Sequence, residues 1–167
     1  MRAVFGALRE MVDQEPDIEV VYSVHLSPAV QEVAHDLLGN HERIHLIEPL
    51  DVFDFHNLAS RSYFIMSDSG GVQEEAPSLG KPVLVLRDTT ERPEGVQAGT
   101  LKLVGTDPGT VKSTMSELLN DEKLYSEMAN ARNPYGDGKA SARIVQAIKH
   151  YFALGDAAEE FHEGDEN

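Results

Sequence analysis

The chain predicts an α/β domain built on a mostly parallel sheet of five to six strands. Short runs of β-branched and apolar residues alternate with helical segments of roughly ten residues, the spacing of βαβ units covered on both faces. The 167 residues match one domain of ordinary size. Their composition, 41% hydrophobic with 13 glycines, is enough to bury a core without staples. There are no cysteines, which excludes disulfide frameworks, thiolate nucleophiles and cysteine–zinc sites.

The elements follow in order. Phe5–Gln14 is predicted helical, because Phe5, Leu8, Met11 and Val12 recur at helical spacing and Pro16 closes the segment. Ile18–Val24 is a buried strand by its β-branched run. Pro28–Leu38 is a helix with Ser27 as cap, Pro28 in the first turn and Gly39-Asn40 as stop. Ile44–Ile47 is a strand stopped by Pro49, and Asp51–Ser60 a helix with Val52, Phe55 and Leu58 on one face. Tyr63–Met66 is a third strand, Val72–Leu79 a helix limited by Pro77, and Pro82–Leu86 a fourth strand. The segment Arg87–Gly95 reads as a loop, and Leu101–Val104 as a fifth strand. Helices close the chain at Pro108–Leu119, Asp121–Arg132 and Lys139–Phe152, the last with Ile144, Ile148 and Tyr151 at helical spacing. One domain is expected over residues 1–153. Residues 154–167 form an acidic tail expected to be disordered, since its composition buries too little apolar surface.

Charge narrows the partners. Fourteen Lys and Arg stand against 29 Asp and Glu, a net charge of −15. A broad basic surface for nucleic acid is not expected, because that mode needs clustered Lys and Arg. A small phosphorylated ligand is compatible, since a helix N-terminus and one or two arginines hold it whatever the net charge. No apolar run approaches the roughly 20 residues that span a bilayer. Met1–Gly6 lacks the apolar core of a signal peptide. A cytoplasmic protein without membrane contact is the expectation.

The strongest local signal is Ile65–Ala76. A buried strand ends, Ser67-Asp68-Ser69-Gly70-Gly71 turns, and a helix begins. Backbone N–H groups at such a helix start attract anions, and in an open parallel sheet this edge is where ligands bind. Spacing alone leaves two readings open: a phosphate site, or a tight turn whose glycines satisfy dihedral demands. Glu74 and Glu75 follow on the same helix, either on a solvated face or, for one of them, against sugar hydroxyls. Adjacent helix positions lie about 100° apart, so both cannot face one ligand. The Arg87–Gly95 segment lies at the same edge with two arginines suited to phosphate, or is a surface loop with neutralised charge. His25 ends the first strand at that edge. The remaining histidines have no metal spacing, and no catalytic triad or acid–base carboxylate pair can be assembled. Gly136-Asp137-Gly138 reads as a turn that could equally approach a ligand.

Together these segments resemble a known family. Ser67–Glu94, including Ser69-Gly70-Gly71-Val72-Gln73-Glu74-Glu75 and Arg87-Asp88-Thr89-Thr90-Glu91-Arg92-Pro93-Glu94, is similar to the C-terminal domain of the non-hydrolysing UDP-N-acetylglucosamine 2-epimerases. So are Val24-His25-Leu26-Ser27-Pro28, Leu101–Asp107 and Asn133-Pro134-Tyr135-Gly136-Asp137-Gly138. The four motifs stand in the family's order and leave out only the acidic tail.

The resemblance implies a Rossmann-like three-layer half of a GT-B-like enzyme, with substrate in the cleft between two such halves. It implies interconversion of UDP-N-acetylglucosamine and UDP-N-acetylmannosamine by elimination of UDP to a glycal and re-addition. It assigns Ser69, Gly70 and Gly71 to the diphosphate, Glu75, rather than Glu74, to the ribose hydroxyls, and Arg92 to the phosphates. His25 corresponds to a histidine facing the interdomain cleft, where bacterial members also bind an activating second substrate molecule. No metal or other cofactor is implied. The implied partners are UDP or UDP-N-acetylglucosamine, an N-terminal epimerase half in cis or in trans, and a second copy in a homodimer. The family's catalytic carboxylates belong to the N-terminal half, so this chain alone is expected to bind without catalysing. A non-catalytic nucleotide-sugar binding module and the C-terminal half of a GT-B glycosyltransferase are the alternatives. Ser27 departs from the family's usual Asn before the proline.

Overall fold

The computed structural model describes residues 1–160. The chain divides into two compact units, Met1–Arg132 and Asn133–Asn167. The first unit runs α1 (Arg2–Gln14), β1 (Val20–Ser23), α2 (Pro28–Leu38), β2 (Ile44–Ile47), α3 (Val52–Arg61), β3 (Ile65–Ser67) and α4 (Gly70–Glu75), which continues into a 3-10 turn at Ala76–Leu79. It then runs β4 (Val83–Val85), α5 (Pro93–Ala98), β5 (Leu101–Leu103), α6 (Pro108–Asn120) and α7 (Glu122–Ala129).

Every strand pairing described is parallel, as the alternation of strands and helices requires. Hydrogen bonding groups the strands as β1–β2 and β3–β4–β5, two sheets where one was expected. The strands are only three or four residues long, so each ladder is brief, and side-chain packing rather than a shared ladder links the two groups. Leu8 of α1 packs against the clusters of both. Within the larger sheet Ile65 stands opposite Val83, Met66 opposite Leu84 and Ser67 opposite Val85, with Val83 to Val85 opposite Leu101 to Leu103 on the other side.

β4 is fully buried along its length, the signature of a central parallel strand covered on both faces. Alternation sends Leu84 to one side, where it meets Met11 of α1, Met115 and Leu118 of α6, and Met128 of α7. Val83 and Val85 go to the other, against Ala76 and Leu101, with Val72 and Val96 from α4 and α5 packed beside them. These are the three layers. The smaller sheet has its own cluster, in which Phe5 and Val12 of α1 pack on Ala34 and Leu38 of α2 and on Ile44.

Aspartate caps open three of the helices. Asp51 accepts from the N–H groups of Phe53 and Asp54 at 2.9 and 3.0 Å, and Asp107 and Asp121 cap α6 and α7. Ser27, expected to cap, makes no side-chain cap bond. Its carbonyl already takes the N–H groups of Val30 and Gln31, and Pro28 has no N–H to offer. The segment expected as a loop through Gly95 runs into α5 at Pro93. Pro93 at its first position and Gly99 at φ 84° just beyond it are start and stop signals, set only six residues apart.

Among its described residues the second unit has a turn and one helix, α8 (Ala140–Tyr151). Gly136 and Gly138 adopt φ 133° and 77°, so the turn reading of this segment has a conformational basis. Asp137 accepts from the Lys139 N–H at 3.0 Å and from the Arg143 guanidinium at 2.7 and 2.8 Å. The Arg143 bonds, followed by the Lys139 N–H, hold its carboxyl well below the usual carboxylate range. Ile144, Ile148 and Tyr151 stand on a helix as their spacing predicts, but they are exposed. Periodicity marks a face as apolar without supplying the surface that covers it. The expected disorder of 154–167 falls partly on residues 161–167, outside those described. Residues 156–160 form no helix or strand.

Leu84→Ala removes the side chain that joins α1, α6 and α7 to the sheet. Urea denaturation should show a loss of about 2–5 kcal/mol, the range for truncating a fully buried leucine.

Candidate functional site

The carboxyl ends of β3 and β4 lie side by side, since Ser67 pairs with Val85 and the Leu86 N–H donates to the Ser67 carbonyl at 3.0 Å. The two polar segments that leave these ends, Asp68–Gly71 and Arg87–Arg92, are therefore neighbours. The Ser69 N–H donates to Ser67 Oγ at 3.0 Å. Ser69 is the N-cap of α4 by position, and its hydroxyl makes no cap bond.

Gly70 and Gly71 are not among the residues with positive φ, so dihedral demand does not explain them. A Cβ on Gly70 would come no closer than 3.4 Å to Glu91 Oε1 and 3.8 Å to Arg92 Nη2, and one on Gly71 no closer than 3.9 Å to Glu75 and Ser69. The turn would tolerate small side chains. What the two glycines provide is bare backbone at the strand edge, next to the Arg92 guanidinium.

Arg92 is positioned from two sides. Its Nε donates to Glu74 Oε1 in a short contact, and Nη1 donates to the Glu91 carbonyl at 3.1 Å. Its backbone N–H donates to Thr90 Oγ1 at 3.0 Å. Thr90 in turn donates to Oε1 of the fully buried Gln73 at 2.6 Å, and the Gln73 amide donates to the Ser69 carbonyl at 3.2 Å. Arg87 pairs with Glu91 at 2.7 Å. Hydrogen bonds from the Glu91 backbone N–H and from Arg87 hold the Glu91 carboxyl below its ordinary range. Arg87 and Arg92 are thus each matched by a carboxylate, which agrees with the neutralised-charge reading of this segment.

The two carboxylates of α4 turn to different neighbours. Glu74 reaches Arg92, whereas Glu75 Oε2 lies 3.0 Å from His56 Nε2 on α3. Their roughly 100° separation on the helix has this consequence, and neither is a purely solvated surface charge. His25 follows β1 in the other sheet. It is exposed, and its Nδ1 accepts from the Ser27 N–H at 3.0 Å. No contact joins it to Ser69–Gly71 or Arg92 among the described hydrogen bonds. The Asp68 turn does come within electrostatic reach of β1: burial first, and the Asp68 charge second, raise the Tyr22 hydroxyl pKa above its ordinary value.

The structure therefore brings Ser69, Gly70, Gly71, Glu75 and Arg92 to one edge and leaves His25 in the loop after β1, a strand of the other sheet. Sequence reasoning passed over Gln73, Thr90 and His56. The available signal was Gln73 itself, a polar residue four positions after Ser69 on a face otherwise directed at the sheet. Among the described residues no group of three or more His, Asp or Glu is arranged to hold a metal, and no helix is long and apolar enough to cross a membrane.

The family model described as UDP-N-acetylglucosamine 2-epimerase matches residues 1–149. The chain is 59% identical over 152 residues to the UDP-N-acetylglucosamine 2-epimerase of Bacillus subtilis, covering 91% of this chain and 40% of that protein. Among solved structures, the S. aureus MnaA–UDP co-structure superposes with a TM-score of 0.93 at 56% identity, covering 96% of this chain and 44% of that one. The Neisseria meningitidis UDP-GlcNAc 2-epimerase bound to UDP-GlcNAc gives a TM-score of 0.86 at 46% identity, covering 89% and 40%. The chain thus spans about two fifths of the length of the relatives it matches.

The segment after β4 is also held from behind. The Gly105 N–H donates to the Arg87 carbonyl at 3.2 Å, and a Cβ on Gly105, at φ 64°, would stand 2.7 Å from Asp88 Oδ1. Gly105→Ala should therefore cost about 1–2 kcal/mol in a denaturant titration from the left-handed conformation, and the Asp88 and Thr89 amide resonances should shift.

Proposed function

We propose, since this chain belongs to the UDP-N-acetylglucosamine 2-epimerase family, that it is the UDP-binding half of an enzyme that interconverts UDP-N-acetylglucosamine and UDP-N-acetylmannosamine. The observation that carries the reading is the 0.93 TM-score match, over 96% of the chain, to a structure solved with UDP. In this reading the backbone of Ser69, Gly70 and Gly71 and the guanidinium of Arg92 hold the diphosphate, Glu75 holds the ribose hydroxyls, and His25 borders the cleft. The leaving diphosphate gains charge as the bond to the sugar C1 breaks. Donors fixed in advance stabilise that charge without having to reorganise. Glu74 acts through Arg92.

The residues that move the C2 proton belong to an N-terminal half, in the same polypeptide or in a separate one. The assembled enzyme is a homodimer acting in the cytoplasm. The length of the relatives, of which this chain spans about two fifths, supports the need for a second half. The same proposal treats residues 1–153 as the working domain and 154–167 as an appendage.

The purified 167-residue chain should bind UDP with millimolar to high-micromolar affinity, about −4 to −6 kcal/mol, seen as shifts of the Gly70 and Gly71 amides in an NMR titration. It should exchange no deuterium from solvent into C2 of UDP-N-acetylglucosamine, since that exchange needs a positioned acid or base. Unmoved amides at millimolar UDP reject the binding assignment, and exchange above a buffer control rejects the division of labour. Glu75→Ala should weaken UDP by about tenfold or more, on the order of one hydrogen bond to a charged group, and by more than Glu74→Ala does. The opposite ranking reassigns the ribose contact.

A further inference from the structure

Gln73 is the largest polar side chain fully buried in the first unit, and the functional reading above gives it no task. Burying an amide is costly unless its groups are paired, and both ends of Gln73 are. Its Nε2 donates to the Ser69 carbonyl at 3.2 Å, and its Oε1 accepts from Thr90 Oγ1 at 2.6 Å. Thr90 Oγ1 also accepts the Arg92 N–H at 3.0 Å. The Ser69 carbonyl takes the Gln73 backbone N–H as well, at 3.3 Å. A continuous run of hydrogen bonds therefore leads from the residue that opens α4 to the backbone of the residue that opens α5. It crosses between two segments that no strand ladder joins beyond Leu86.

We infer that Gln73 and Thr90 form a buried strut that fixes the distance between the Ser69–Gly71 backbone and Arg92, and that both are positioning residues for the diphosphate. This rests on the reading of Ser69–Gly71 and Arg92 as UDP contacts. Neither side chain of the strut faces ligand. Gln73 is buried, and the Thr90 hydroxyl is occupied as donor to Gln73 and acceptor from Arg92. The bonds of the Arg92 guanidinium to Glu74 and to the Glu91 carbonyl act beyond its Cα. The strut acts on the backbone, so it determines where that side chain starts. The one hydroxyl is donor to Gln73 and acceptor from Arg92, so moving the Arg92 backbone away from Gln73 strains one bond or the other.

The test is Thr90→Val, which keeps the β-branched shape and removes the hydroxyl, measured on the full chain by NMR titration with UDP and with uridine. The expected result is UDP binding weakened roughly fivefold or more with uridine changed by less than about twofold, and near-complete recovery in Thr90→Ser. Gln73→Met, which keeps the length without the amide, carries the same expectation where Thr90→Val does not fold. UDP affinity within about twofold of wild type in a folded variant overturns the inference. So do equal losses for UDP and uridine, which would mark a merely structural role. A wild-type chain that binds no UDP instead overturns the functional reading, and the strut's purpose with it.

Discussion

The burial of β4 on both faces is the constraint on which the first unit depends. Val83, Leu84 and Val85 have no exposed surface, so the chain must supply an apolar layer to each side of a three-residue strand. It does so with α1, α6 and α7 below Leu84 and with α4 and α5 beside Val83 and Val85. Parallel pairing on both edges then directs β3, β4 and β5 to end at the same edge. Everything polar that matters leaves from there. Ser69–Gly71 and Arg92 are neighbours because β3 and β4 are in register, before any side chain bonds between them.

Two groups of glycines are physically distinct. Gly80, Gly99, Gly105, Gly136 and Gly138 occupy positive φ, where other residues pay about 1–2 kcal/mol. Their presence is accounted for by the backbone alone. Gly70 and Gly71 lie outside this group and have room for a Cβ. Conformation does not demand them. From sequence alone the Gly70-Gly71 pair and the Gly136–Gly138 turn look alike, and only the dihedral angles distinguish them.

Much of the fold was legible in the sequence because its signals are local. Pro28–Leu38 and Ile44–Ile47 stand where their apolar spacing and punctuation put them. Helix α5 escaped because Pro93 and Gly99 bracket barely more than one turn. The split into two sheets escaped because it depends on which short ladders meet, which is not a local property. In the site, the edge location and the residue types were legible from strand–turn–helix order. The pairings were not. Glu74 with Arg92, Glu75 with His56 and Gln73 with Thr90 join residues 18, 19 and 17 positions apart, and no periodicity reports such contacts. The apolar stripe of α8 shows the same limit, since its spacing is local and its covering surface is not.

A crystal structure of the full chain with UDP tests the central claim most directly. The account predicts the diphosphate against the Ser69–Gly71 backbone and the Arg92 guanidinium, with the ribose hydroxyls at Glu75. A diphosphate bound anywhere else on the chain, or a ribose turned toward Glu74, would contradict it.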